Sequence, residues 1–207
     1  MEGIPANEQI ASPRRAPSQQ RSRERVERML AAASALIAEQ GSDAVRMGEV
    51  AERAGVSIGS LYQFFPDKRA IIWALAERYT TEGQACISAA LAGVRDAEGL
   101  GQAFSELVDI YYRLFLAEPV MRDIWSGTQA DKALRQLELA DSRTNAEFLT
   151  AVLKRLRPAA DPVALDTTAF LIWQMGEAAM RLAISVERQE GDRLVAAYKR
   201  MALRELL

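Results

Sequence analysis

Apolar residues return every three or four positions along most of the chain, which is the spacing of one face of an α-helix. The first run ends at Gly41, and glycine suits the residue after a helix. The predicted helices cover residues 21–41, 47–54, 57–64, 68–91, 97–117, 119–126, 128–156, 162–188 and 190–206. No segment alternates apolar and polar residues for long enough to predict a strand, so we expect an all-α protein.

The segment MGEVAERAGVSIGSLYQFF, residues 47–65, holds two short helices separated by a tight turn. Gly55 suits the left-handed backbone of the turn, and the small Ala51 lets the second helix cross closely. Ser57 is a predicted N-cap of the second helix, as Asp67 is of the next one. The predicted apolar contacts are Val50, Ala54, Val56, Leu61 and Phe64. This pattern indicates a helix-turn-helix, although a purely structural helical hairpin has the same pattern.

The second of these helices presents short or hydrogen-bonding side chains at its predicted exposed positions. Gln63 is able to form a pair of hydrogen bonds with adenine, and Ser60 and Tyr62 are able to reach phosphates or bases. Gly59 has no side chain and would let the helix enter the major groove closely. Arg46, just before the first helix of the pair, is a candidate phosphate contact or simply a solvated arginine. The pattern therefore predicts a DNA-binding surface.

Bulk composition excludes several other classes of function. The chain of 207 residues has a net charge of −2, one cysteine and no histidine. A disulfide framework is therefore impossible within the chain, and the commonest general base and metal ligand is absent. Neither a secretory leader nor an apolar stretch long enough to cross a bilayer is present, so we expect a cytoplasmic protein without a membrane partner. We expect no catalytic site, metal or cofactor, and we interpret the scattered Asp and Glu residues as the solvated faces of helices.

The first twenty residues are rich in Pro, Ser, Gln and Ala, a composition typical of a disordered arm. Between Ser12 and Arg28 six arginines stand against two glutamates. A basic arm of this kind is able to lie in a minor groove, and a solubilising tail is the alternative. Arg21 and Arg23 are the stronger DNA-contact candidates because they adjoin the first predicted helix.

The stretches LIAEQG and VAERAGVSIGSLYQFFPDK, with the distance between them, resemble the TetR (tetracycline-repressor-like) family over roughly residues 22–75. Nine positions agree in register: Gly41, Ala51, Gly55, Val56, Ser57, Leu61, Tyr62, Phe65 and Lys68. The resemblance implies that the second helix of the pair occupies the major groove, that Tyr62 and Lys68 bind phosphates, and that the protein works as a dimer. Gln63-Phe64-Phe65 departs from the usual histidine-containing pattern, which affects the operator sequence.

The resemblance also implies three regions: a disordered basic arm at residues 1–20, a helix-turn-helix domain at 21–67, and a helical ligand-binding and dimerisation domain at 68–207. The two final helices would pair with a second subunit through Gly176, Ala179, Ala183, Trp173, Met180 and Tyr198, or these residues fill the chain's own core. Mid-helix aromatic residues and one acid within an apolar segment give the predicted pocket: Tyr111, Phe115, Trp125, Phe148, Trp173 and Glu177. Arg181, four residues after Glu177, is an alternative partner for that acid.

These observations predict a transcriptional regulator, most simply a repressor released from a palindromic operator by a small molecule. The expected partners are double-stranded operator DNA, a second copy of the chain and an unidentified effector. A helical protein-interaction module that never contacts DNA is the alternative, and an all-helical enzyme is disfavoured by the missing catalytic residue types. Binding to DNA that weakens with salt separates the first two readings.

Overall fold

The computed structural model describes residues 16–127 and 132–207, and within them every regular element is an α-helix. The helices are α1 (Ala16–Gln40), α2 (Met47–Arg53), α3 (Ile58–Phe64), α4 (Lys68–Ala92), α5 (Ala97–Ala117), α6 (Pro119–Gly127), α7 (Lys132–Leu156), α8 (Pro162–Ser185) and α9 (Arg188–Leu206). The predicted all-α class is therefore confirmed.

Helix α1 begins at Ala16 rather than near Arg21, so the prediction that residues 16–20 lack structure is wrong. That prediction counted apolar residues, whereas Ala and Gln also have adequate helix propensity. Gln20 Nε2 donates to Glu24 Oε1 at 3.0 Å, one helical turn away. The other fifteen residues of the predicted arm, and residues 128–131 of a predicted helix, lie outside the described residues.

The turns of the N-terminal region have the predicted chemistry. Gly41 and Gly55 have φ of 79° and 65°, a backbone region in which other residues are strained. Ser57 Oγ accepts from the Ser60 N–H at 3.2 Å, and Asp67 Oδ1 accepts from the Ala70 N–H at 2.8 Å. Both N-cap predictions are confirmed, so α3 and α4 begin where the sequence indicates.

Helix α4 connects two hydrophobic cores. Its first half, with Ile71 and Leu75, packs with α1, α2, α3 and α6 around the fully buried Leu61. Its last turns, with Ile87 and Leu91, join a second core formed with α5, α7, α8 and α9. A displacement of α4 in one core must therefore also shift side chains in the other core, because close-packed side chains leave little room to move independently.

Helices α8 and α9 pack tightly within the chain. Met180, Ala183 and Tyr198 are buried in the second core, and Tyr198 Oη donates to the Ile172 carbonyl at 2.7 Å. A Cβ added to Gly176 would lie 2.7 Å from Tyr198 Oη. The intrachain alternative is therefore correct for these residues, and they are not the anchors of a subunit interface. Trp173 and Ala179 also pack against this core.

We expect Gly191→Ala to lower the free energy of unfolding by about 2 kcal/mol, because overpacking outweighs the gain in helix propensity. A Cβ at this position would stand 2.4 Å from the Ala183 carbonyl oxygen and 2.7 Å from Tyr112 Oη. Thermal unfolding measures the change. Gly48→Ala is the matched control, since its Cβ meets nothing within 4 Å. A Gly191→Ala protein as stable as Gly48→Ala would contradict this close approach.

No helix among residues 16–127 and 132–207 combines the length and the apolar character needed to cross a membrane.

Candidate functional site

Helix α3 presents one face to the core and the other to solvent. Leu61 is fully buried, whereas the next residue, Tyr62, is 50% exposed and Ile58 is 45% exposed. Gly59 and Gln63 are also exposed, and Ser60 is half-buried. The predicted contacts Ser57, Gly59, Ser60, Tyr62 and Gln63 thus belong to one short helix and its cap, on the side of the helix that faces solvent.

The N-terminal half of α1 reaches this helix. Arg25 Nη1 donates to Ser60 Oγ at 3.4 Å, although the two residues are far apart in sequence. Arg21 and Arg23 are exposed on the preceding turn of α1. Arg25 was not singled out by the sequence, because only the packing of α1 against the turn region distinguishes it from its neighbouring arginines.

The other two predicted phosphate contacts flank the helix pair. Arg46 is exposed, and its backbone N–H donates to Glu49 Oε2 at 3.1 Å in the first turn of α2. Lys68 Nζ donates to the Asp43 carbonyl oxygen at 2.8 Å. Lys68 therefore stands at the start of α4 beside the loop before α2, and a phosphate at this place would exchange for or share its hydrogen bond.

A cavity of about 410 Å³ lies between α4, α5, α7 and α8, with contributions from α1, α6 and α9. This volume falls in the range of small-molecule sites. Four of the six predicted pocket residues line it: Tyr111, Trp125, Trp173 and Glu177. The structure thus gathers residues from seven helices around one space.

The other two predicted pocket residues do not line the cavity. Phe115 is fully buried behind it, with its ring centroid 4.8 Å from that of Tyr111 and 6.1 Å from that of Trp125. Phe148, on α7, packs against the second core. An aromatic residue in mid-helix is able either to line a pocket or to fill the core, and the sequence does not distinguish the two roles. The orientation of α5 and α7 places both rings in the core.

Three buried polar residues lie together in the lining and form what we call the inner end of the cavity: Asp141, Asn145 and Glu177. Ser142 Oγ donates to Glu177 Oε1 at 2.6 Å, and Gln84 Nε2 donates to Asp141 Oδ1 at 2.8 Å. Asp141 and Asn145 are not among the residues predicted from the sequence to line a pocket. Their separation of one helical turn is visible in the sequence, yet a solvated helix face gives the same pattern.

Burial raises the pKa of Glu177 to about 9, with the adjacent Glu138 carboxyl as the next cause. Burial also raises the pKa of Asp141. Arg181 does not pair with Glu177, because its Nη1 contacts Glu138 Oε1 at 2.5 Å instead. The interior of the cavity therefore keeps a protonated carboxyl at neutral pH.

We expect the thermal midpoint to fall as pH rises from about 6 to about 8.5, and Glu177→Gln to remove most of that fall. Unfolded Glu177 ionises near its ordinary pKa of 4.5, while the folded protein holds the proton until about pH 9. The unfolded state thus binds fewer protons in this window, and stability declines with pH. The groups that face Glu177 are the same in the wild type and in Glu177→Gln. They are Glu138, Asp141, Ser142, Tyr111, Arg181 and Tyr198.

Glu147→Gln is the matched control for this measurement, because Glu147 is exposed on α7 and does not line the cavity. Equal slopes of thermal midpoint against pH in the wild type and Glu177→Gln would contradict the assignment.

Within the described part of the chain, no group of three or more His, Cys, Asp or Glu side chains is placed to hold a metal ion.

Comparison with known proteins covers both halves of the chain. Residues 29–75 match the family described as "Bacterial regulatory proteins, tetR family", and residues 98–207 match "Tetracyclin repressor-like, C-terminal domain". The chain is 42% identical over 72 residues to the HTH-type transcriptional repressor KstR of Mycolicibacterium smegmatis, which is 34% of this chain and 35% of KstR. The alignment thus spans about a third of the length of this curated relative.

Solved structures extend the similarity over nearly the whole chain. A TetR-family transcriptional regulator from Streptomyces coelicolor aligns with a TM-score of 0.66 and 27% identity, covering 90% of this chain and 97% of that one. A TetR-family regulator from Mesorhizobium loti has a TM-score of 0.68 at 18% identity, covering 89% and 97%, and shows the shared fold alone. The chain belongs to the TetR family of bacterial transcriptional regulators.

Proposed function

We propose that this protein is a ligand-responsive transcriptional repressor: a homodimer binds a palindromic operator through α3, and a small molecule in the cavity releases it. In this proposal residues 21–67 form the DNA-binding domain and residues 68–207 the ligand-binding and dimerisation domain. The observation that carries it is the connection, through α4, between an exposed recognition helix and a built cavity. Such a regulator acts on DNA in the cytoplasm.

The charges around α3 support DNA as its partner. Arg21, Arg23, Arg25 and Arg46 are exposed on the elements next to this helix. Arginine donates several hydrogen bonds to phosphate oxygens, and α3 itself carries no acidic residue. An overall charge of −2 therefore coexists with a local basic surface.

A stripe of exposed apolar side chains supports dimerisation through α8 and α9. Leu171, Met175 and Leu182 lie on one face of α8, with exposures of 57%, 39% and 50%, and Met201 of α9 is 58% exposed. Apolar surface of this kind marks an interaction site. This stripe lies on the opposite side of α8 from the buried Met180, so it is able to meet a second subunit.

Two connections support coupling between the cavity and the DNA-binding helices. Helix α4 contributes Leu75 and Tyr79 to the cavity and belongs to the same core as α3. In α6, Trp125 lines the cavity, and two residues earlier Asp123 Oδ2 accepts from the Ser42 N–H at 2.7 Å. A ligand that shifts α4 or α6 would change the separation of the two recognition helices in a dimer. The dimer binds both half-sites only when that separation matches one helical turn of DNA or a multiple of it.

We expect Tyr62→Ala and Lys68→Ala each to weaken operator binding by about tenfold, because each removes a phosphate contact. Lys68→Ala is also expected to make the affinity less dependent on salt, because only the lysine carries a charge that displaces counterions. Binding-site selection with purified protein supplies the operator, and electrophoretic mobility shifts at several salt concentrations measure affinity. Lys154→Ala is the control, since Lys154 is exposed on α7, away from α3.

The interaction-module alternative makes the opposite prediction. Absence of a selected DNA sequence, or binding to DNA that does not weaken as salt increases, would exclude the proposed function and favour a protein partner for α3.

A further inference from the structure

The inner end of the cavity is built to accept hydrogen bonds. Asn145 is 3% exposed and Glu177 is 5% exposed, and both line the cavity. Asn145 Oδ1 and Glu177 Oε2 find no hydrogen-bond partner among the residues that the structure describes. A buried polar atom without a hydrogen bond costs free energy. A ligand that donates a hydrogen bond to these atoms would therefore bind more tightly.

The orientation of Asn145 follows from its neighbour. The Asn145 side chain forms a hydrogen bond with the Asp141 carboxylate, which lowers the pKa of that acid against the larger effect of burial. Since a carboxylate only accepts, the amide donates to it, and the carbonyl oxygen remains for another donor. Asp141 and Asn145 thus offer two acceptors from α7, and Glu177 on the adjacent α8 adds a third when a bound cation ionises its carboxyl.

The charges lining the cavity point to a cation. Four acidic side chains line it, Glu82, Glu118, Asp141 and Glu177, against one basic side chain, Arg78. Arg78 is itself paired with Glu27. Glu177 is neutral without a cation beside it, because burial raises its pKa, and a bound cation would favour its ionised form. An anionic ligand would face uncompensated repulsion here, whereas a cation would be attracted and would favour the ionised carboxyls.

The rest of the lining is apolar and aromatic. The rings of Tyr111, Trp125 and Trp173 face the cavity, together with Leu107, Val108 and Met180. Such walls bind a hydrocarbon or aryl body, and indole and phenol faces also attract an alkyl cation. The cavity therefore combines a mainly apolar and aromatic lining with a polar end that accepts hydrogen bonds.

We propose that the effector is a lipophilic primary amine, whose ammonium group donates to Glu177, Asn145 and Asp141 while its apolar body lies against Tyr111, Trp125 and Trp173. A primary ammonium has three donors and no acceptor, which matches three acceptors at one end of the cavity. This inference rests on the proposed function, because it identifies the chemical class of ligand for the same cavity.

Three probes of one shape test the ligand class: phenylbutylamine, phenylbutanol and phenylbutyrate. Because Trp125 and Trp173 line the cavity, quenching of tryptophan fluorescence in the full-length protein reports binding without DNA. We expect the amine to bind at least about tenfold more tightly than the alcohol, since hydrogen bonds to charged groups are the stronger ones, and the carboxylate to bind most weakly. Tighter binding of phenylbutyrate, or no binding of the amine, overturns the proposal.

Two variants locate the ammonium. Glu177→Gln and Asn145→Leu are each expected to reduce amine affinity at least about tenfold while changing alcohol affinity much less. Glu147→Gln, on the exposed side of α7, is expected to bind all three probes as the wild type does. Each variant is first checked for helical circular dichroism, and Asn145→Leu carries the test where Glu177→Gln does not fold. Unchanged amine affinity in a folded variant overturns the proposal.

The DNA assay separates this inference from the proposed function. Release of the operator by phenylbutylamine supports both, whereas a protein that binds operator DNA but not the amine contradicts only the ligand class. A protein that binds the amine but no DNA contradicts only the proposed function.

Discussion

Gly59→Glu is expected to abolish operator binding, with a loss of at least about a hundredfold, while leaving the protein as stable as before or slightly more stable. Gly59 lies in the first turn of α3 with open space around its Cβ position. A side chain here therefore costs no contact inside the protein, and replacing glycine in a helix gains about 0.5–1 kcal/mol. A carboxylate near a helix N-terminus is also favourable.

The same carboxylate would stand between α3 and the DNA phosphates. Like charges brought together at an interface cost several kcal/mol, which corresponds to more than about a hundredfold in affinity. Mobility shifts measure the affinity, and thermal unfolding measures the stability. Gly93→Glu is the control, because it adds the same charge in open space after α4. Operator binding retained by Gly59→Glu would show that α3 does not enter the groove.

Leu171→Arg combined with Leu182→Arg is expected to convert the dimer to a folded monomer and to weaken operator binding by about a hundredfold or more. Both leucines are at least half exposed on α8, so the chain's own core loses little. Two charged side chains on the apolar stripe would face their copies across a two-fold interface. Without dimerisation each half-site binds alone, and the gain in effective concentration is lost.

Light scattering coupled to gel filtration measures the mass of this double variant, and circular dichroism checks its helices. Ala89→Arg serves as the control, since it introduces arginine on an exposed position of α4 away from the stripe. A double variant that remains dimeric would place the subunit interface elsewhere.

Local patterns were sufficient wherever one helix or turn decides the outcome. The 3.6-residue periodicity placed the helices, and the side chains of Ser57 and Asp67 cap α3 and α4 as their types indicate. The same reasoning failed at residues 16–20, which are helical although their sequence shows no apolar periodicity. It also ran α8 beyond Ser185, because the Glu187 side chain caps α9 by accepting from the Gln189 N–H at 2.9 Å.

The pocket shows the limit of sequence reasoning. Tyr111 and Phe115 are one turn apart on α5 and equally aromatic, yet Tyr111 lines the cavity and Phe115 fills the core behind it. Met180 suggested a subunit contact, but the orientation of α8 turns it inward and turns Leu171 and Leu182 outward. Periodicity defines which residues share a face and does not state which neighbour that face meets.

The sequence by itself determined the helical class, the helix boundaries to within a few residues and the chemistry of the turn before α3, because these depend on neighbours in the chain. Only the tertiary structure decided that Arg25 reaches Ser60, that Arg181 pairs with Glu138 instead of Glu177, and that Asp141 and Asn145 complete the polar end of the cavity. Those relations join residues from different helices, and their geometry is set by how the helices pack.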